Sequence, residues 1–288
     1  MAHTRDIRLT TTGLLAAALT VGFYLGVVGP LDDTYFAQLF GARGWVPYAI
    51  SFLSLWCGVI LAAKYRRLRR RLSVLQLDLL PREVAEVITP SNANAFGDYL
   101  AGLDGRFGED SLFQRIDRAL ENFRERNNAA ETVDQLRLNA ERDEGLLESS
   151  YTMLRVFIWA IPILGFIGTV LGIGASVAGF SEAVSAAANL DVMKDAIGVV
   201  TSGLGVAFDT TLLALVMSIF IMVPTSSLQK TEEDYLARVD DYCQRHLVGR
   251  LDDGGHGGRG EEERLSAAAD RFAGKILAAL ERRSQETD

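Results

Sequence analysis

Apolar residues gather along this chain into four long runs, residues 11–29, 46–63, 156–180 and 196–228, separated by stretches in which charge dominates. Each run is free or nearly free of charge over a length that can carry a helix across the ~30 Å hydrocarbon core, which takes roughly 20 residues. The pattern predicts an all-α, polytopic membrane protein with four transmembrane helices. A soluble buried helix is the alternative for the two shorter runs, and the sequence "KYRRLRRR" at 64–71 argues against it. Six of those eight residues are basic, and lysine or arginine at the end of a span is retained on the cytoplasmic side. Arg5 and Arg8 precede the first run, whereas the loop after it holds Asp32, Asp33 and one Arg43, so the expected topology is N-in and C-in. A cleaved signal peptide is the competing assignment for the first run; no clean small-x-small site ends it.

The polar stretches predict long cytoplasmic helical extensions. Residues 64–150 read as helices broken at "TPSNANAFGDY" and "GLDGRFGED", both rich in turn residues. Ser111 and Gln114 have capping-box spacing, and Leu112, Ile116, Leu120 and Phe123 then recur at helical intervals. From Glu131 a polar helix runs without a breaker into the third apolar run, and another leaves the fourth and continues to Gly249. The expected organisation is two N-terminal spans (1–63), a cytoplasmic helical domain (64–150), a core pair of spans (151–228), a helical extension (229–250), a glycine-rich linker (251–260) and a last helix (261–288). That helix carries Leu265, Ala269, Phe272, Ile276 and Leu280 on one side, as either a coiled-coil tip or an amphipathic helix on its own protein or the membrane.

Composition narrows the classes of function. A net charge of −8 gives no support to nucleic-acid binding, and the arginine cluster is accounted for by topology and anionic lipid headgroups. Two cysteines, Cys57 and Cys243, are too few and too separated for a disulfide framework or a CxxC metal site. No GxxxxGK[ST], HExxH or GxSxG motif is present, so the chain is not expected to be an enzyme.

In the third run Gly165, Gly168, Thr169, Gly172, Ser176 and Gly179 fall on one stripe about 100° wide with Pro162 at its border, while bulky apolar residues cover the rest. Small residues allow close helix packing in lipid, and Gly168 with Gly172 forms GxxxG. The stripe's full membrane depth and its hydroxyls also suit a cavity wall. The fourth run carries Asp209 near its middle, where a carboxylate costs roughly 2.5–3.5 kcal/mol and so must face protein or water. Its small residues lie on two sides, Gly198, Ser202 and Gly205 on one, and Gly203, Ala207, Thr211, Ala214 and Ser218 on the other. A helix packed on two faces suits an oligomer.

The segments "AIPILGFIGTVLGI" and "GVAFDTTLLAL" resemble the paired core helices of the MotA/TolQ/ExbB proton-channel family, at Pro162, Gly165, Gly168, Thr169 and Gly172 in the first and Ala207, Thr211 and Leu215 in the second. The resemblance covers roughly residues 154–235, and the four-span form is similar to the flagellar-stator branch. It implies an ion-conducting A-type subunit of a bacterial inner-membrane motor, a homopentamer around a dimer of a single-span B-type partner with one membrane aspartate. No cofactor is implied; the cargo is H+ or Na+. By this resemblance Thr169 and Thr211 line the ion pathway, with Gly165, Gly168, Gly172 and Ser176 on the pore wall and Pro162 bending the helix near the inner exit. Charged residues between the second and third spans push a rotor in the stator branch, and Arg115, Arg118, Glu121, Arg124 and Glu125 lie in that region. Two positions depart from the pattern. Val206 stands where the three-span branch has a glutamate, and Pro224 lies a turn beyond the family's proline position at Phe220. Asp209 either supplies the displaced carboxylate to the pathway or is a buried acid bonded to Ser202 or to the loop side of the first two spans. A non-conducting oligomeric scaffold or sensor is the functional alternative.

Overall fold

The computed structural model describes residues 9–31, 34–41, 44–75, 79–107, 110–185 and 190–253; the expected last helix, 261–288, and most of the linker, 251–260, lie outside them. Among the described residues the regular structure is helical, in the order α1 (Leu9–Phe23), α2 (Tyr35–Gly41), α3 (Val46–Val74), α4 (Ala93–Phe107), α5 (Ser111–Arg126), α6 (Ala129–Ser150), α7 (Thr152–Ser185) and α8 (Leu190–Tyr242). Four helical stretches are long and apolar enough to cross a membrane, within Leu9–Leu31, Val46–Leu72, Ala129–Ser181 and Ile197–Arg250. The continuation expected past the fourth apolar run is present as the length of α8. The one expected before the third is interrupted at a single residue, Tyr151, between α6 and α7.

The chain divides into two compact units. The first comprises Met1–Arg71 and Gly145–Asp234. Beyond α1 its chain widens into a π turn, Tyr24–Val28, and then tightens into a 3-10 turn, Gly29–Leu31, before the short α2 leads back into α3. Its core joins Val28, Ala37 and Phe40 around α2 and Val46, Ile50 and Cys57 of α3 to Leu154, Phe157 and Ile161 of α7 and Leu213, Ala214 and Ile221 of α8. Within that apolar interior the Trp56 indole donates to Thr12 Oγ1 at 3.1 Å and rests against the Phe157 ring. The outer sides of the core pair are equally apolar: Trp159, Phe166, Val170 and Val177 of α7 and Phe208, Phe220 and Val223 of α8 are exposed. Helices apolar on both the packed and the open side are suited to lipid.

The second unit comprises Leu72–Glu144 and Tyr235–Asp288. Here α5 is amphipathic, burying Leu112, Ile116, Leu120 and Phe123 as the spacing predicts. Its cap is Asp110 rather than Ser111: the Asp110 carboxylate accepts from the Leu112 N–H at 2.9 Å, because Asp110 is the extended residue before the first helical turn. The two turn-rich segments contain a helix, α4, whose Phe96 and Leu100 are fully buried one turn apart. Gly97 and Gly102 within it cost about 1 kcal/mol each relative to alanine, which two large buried side chains offset. Arg250, at the end of a 3-10 turn, gathers the 80–86 loop by donating to the carbonyls of Leu80 at 2.7 Å, Glu86 at 2.9 Å and Ala85.

Candidate functional site

The glycine stripe of α7 is a packing surface. Along it the structure sets α8 of the same chain so close that a methyl group on Gly172 would lie 2.9 Å from both the Ala207 nitrogen and the Gly203 oxygen, backbone against backbone. At Gly168 it would meet the Thr210 Cβ at 2.7 Å. Gly165 faces Ala214, and Ser176, also buried, donates to the Gly172 carbonyl at 2.7 Å and faces Gly203. Gly165, Gly168, Gly172 and Ser176, which the resemblance places on the pore wall, all take part in this contact with α8. In lipid, helices without side chains at the contact gain dispersion by near approach, and α8 is the helix at hand.

Thr169 and Thr211 are brought together within this seam, their hydroxyls in direct contact. The Thr169 hydroxyl also lies 3.1 Å from the Ala207 carbonyl, and the Thr211 hydroxyl 3.1 Å from the Gly165 carbonyl. Each hydroxyl owns a single proton, so the pair can run in either direction. Either Thr169 donates to Thr211 and Thr211 to Gly165, or Thr211 donates to Thr169 and Thr169 to the carbonyl of Ala207 or, at 3.3 Å, of Gly165. Both threonines are half-buried, and a hydroxyl pair that can reverse its direction is the element from which a proton relay is made.

Pro162 lies inside α7, and the helix continues through it. Proline has no N–H, so the carbonyl of Ile158, four residues earlier, loses its helical donor. The Ser218 hydroxyl of α8 replaces it, donating at 3.3 Å.

Asp209 is not brought to the threonines. It projects some 200° from Thr211 around α8 and is nearly buried, and the Tyr35 hydroxyl of α2 donates to it at 2.5 Å. Of the two sequence readings, the loop side of the first two spans is the one the geometry meets. Asp209 therefore sits level with α2, at one end of the α1–α3 hairpin, rather than halfway along it. At the other end, 23 residues down α8 and so about 34 Å away, Glu232 pairs with Lys64 at 3.0 Å. Sequence reasoning passed over Glu232, because it sits in the acidic run "TEEDY", where each carboxylate looks solvated.

Of the charged residues considered for a partner surface, Arg118, Glu121, Arg124 and Glu125 are exposed on α5. Arg115 is not; it is buried and pairs with Asp143 at 2.7 Å and Asp240 at 3.4 Å, which makes it a structural cross-tie of the second unit.

No curated protein and no solved structure matches the chain. Residues 108–241, from the start of α5 almost to the end of α8, match the model of the MotA/TolQ/ExbB proton channel family, and the matched stretch of this membrane protein carries the Thr169–Thr211 pair.

Proposed function

We propose that the chain is the proton-conducting A-type subunit of a bacterial inner-membrane motor, N-in and C-in, five copies enclosing a dimer of a single-span B-type partner whose membrane aspartate carries the proton. The observation that carries this reading is the reversible Thr169–Thr211 hydroxyl pair, set in the segment that matches the proton channel family. Half-exposed at the edge of the α7–α8 seam, the pair is accessible to a neighbouring helix, accepting a proton from the partner's aspartate and passing it on by reversing its direction. The glycines contribute indirectly, holding α7 against α8 so that the two hydroxyls meet. The test is ion-driven output in cells carrying Thr211→Ala or Thr169→Val: both lose output while the complex still assembles. Full activity in both variants removes the pathway assignment.

One observation favours a second reading, a non-conducting oligomeric scaffold or sensor: the glycine face is covered within one chain and so does not itself call for a foreign helix. A protonophore separates the two, since the output of a scaffold persists when the ion gradient is collapsed.

A further inference from the structure

Below Thr211, α8 carries a polar residue at every seventh position: Ser218, Thr225 and Glu232. A seven-residue step drifts only about 20° around a straight helix, so the four share one face. That face is turned inward. Ser218, Thr225 and Glu232 are each less than a tenth exposed, in a helix whose other side presents Phe220 and Val223. The upper hydroxyl, Ser218, meets the proline-freed carbonyl of Ile158, and Thr225 donates to Ile221 at 2.7 Å. The row ends on the buried Lys64–Glu232 pair. There the Lys64 ammonium also donates to Ser150 at 2.8 Å and lies 3.9 Å above the Tyr151 ring, at the one-residue interruption between α6 and α7. Among the described residues, the other charged or titratable groups acting on the pair are the Tyr151 hydroxyl, Arg67 and Arg71 of α3, and Glu233 of α8.

A buried carboxylate at the foot of a line of hydroxyls has a chemical use that an apolar residue lacks. We propose that Glu232, held by Lys64, is the terminal proton acceptor of this row, delivering to the cytoplasmic side what the Thr169–Thr211 pair receives. The assignment rests on the conducting role proposed above. The step is a plain protonation. A proton reaching the row by way of Ser218, Thr225 and intervening water, the polar groups standing about 10 Å apart, binds the Glu232 carboxylate and makes it neutral. Lys64 keeps its contacts to Ser150 and the Tyr151 ring, and loss of the proton to water at the basic end of α3 restores the ion pair. Lys64 is a positioning residue in this scheme, fixing the carboxylate and favouring its return to the charged state.

The test separates proton carriage from mere pairing. The complex isolated from its native membrane is reconstituted in liposomes, proton uptake under an imposed pH gradient is read with an internal dye, and thermal unfolding is followed on the same samples. Glu232→Gln is expected to lower both uptake and the unfolding midpoint, because it leaves Lys64 buried without its partner. Combining it with Lys64→Met removes both charges at similar volume, so the midpoint recovers while uptake stays down by about a hundredfold, the scale of a lost acid–base group. Glu232→Asp keeps uptake and shifts its pH profile. Recovery of uptake in the double variant overturns the assignment and leaves the pair structural. Wild-type complex that carries no protons at all overturns the conducting role and this assignment with it.

Discussion

The Ser218 hydroxyl replaces, from the neighbouring helix, the backbone donor that Pro162 withholds from the Ile158 carbonyl. A proline inside a spanning helix is thereby tolerated, since a carbonyl left unsatisfied in hydrocarbon is expensive. Ser218→Ala is expected to destabilise the protein by about 1–3 kcal/mol, the penalty of a buried unpaired acceptor. Pro162→Ala restores the helical N–H, so the same serine change made in that background costs little. A double-mutant cycle by thermal unfolding in detergent measures the coupling, and additive effects contradict the replacement.

At Gly172 the obstacles to a Cβ are backbone atoms of α8 that no rotamer change can move. Gly172→Ala is expected to force the helices apart and lower stability by about 1–3 kcal/mol, as overpacking does. Gly174, with open space at its Cβ position, is the internal control, and Gly174→Ala leaves the unfolding midpoint unchanged or slightly raised.

Tyr35 and Asp209 tie α2 to α8 away from the threonine pair. Tyr35→Phe is expected to cost about 1.5–3 kcal/mol, the range for a hydrogen bond to a charged group. Asp209→Asn shares that loss and adds little to it when the two are combined. Ion-driven output in Asp209→Asn, measured at matched protein level, stays near wild type; its abolition assigns the carboxylate to the pathway.

In the second unit Arg250 binds three carbonyls of the 80–86 loop with one guanidinium. Lysine cannot reproduce that fork. Both Arg250→Lys and Arg250→Ala are expected to speed hydrogen exchange at Ala85 through Ile88, with proton uptake by the reconstituted complex unaffected.

The sequence disclosed what depends on local spacing. Four apolar runs set the spans, helical spacing put Thr169 on the glycine stripe of the third and Thr211 on one of two small-residue faces of the fourth, and the resemblance paired the two. What it concealed depends on how one helix registers against another. Asp209 looked central because it is near the middle of its own apolar run, yet its depth is fixed by where the α1–α3 hairpin turns, and run length carries no information on that. The glycine stripe announced close packing without naming the helix that packs. Glu232 was hidden by its neighbours Glu233 and Asp234, although its distance of three heptads from Thr211 was a readable signal. Asp110 displaced Ser111 as a cap because either residue type serves, and only the backbone turn chooses between them.

A seam closed by backbone contact and by hydroxyls bonded across it leaves α7 and α8 no freedom to slip lengthwise. A shift of one turn would drive the Thr210 side chain out of its place opposite Gly168 and strand the Ile158 carbonyl. The two helices are therefore a single stiff plank, which moves as one body rather than by a piston stroke of one helix along the other.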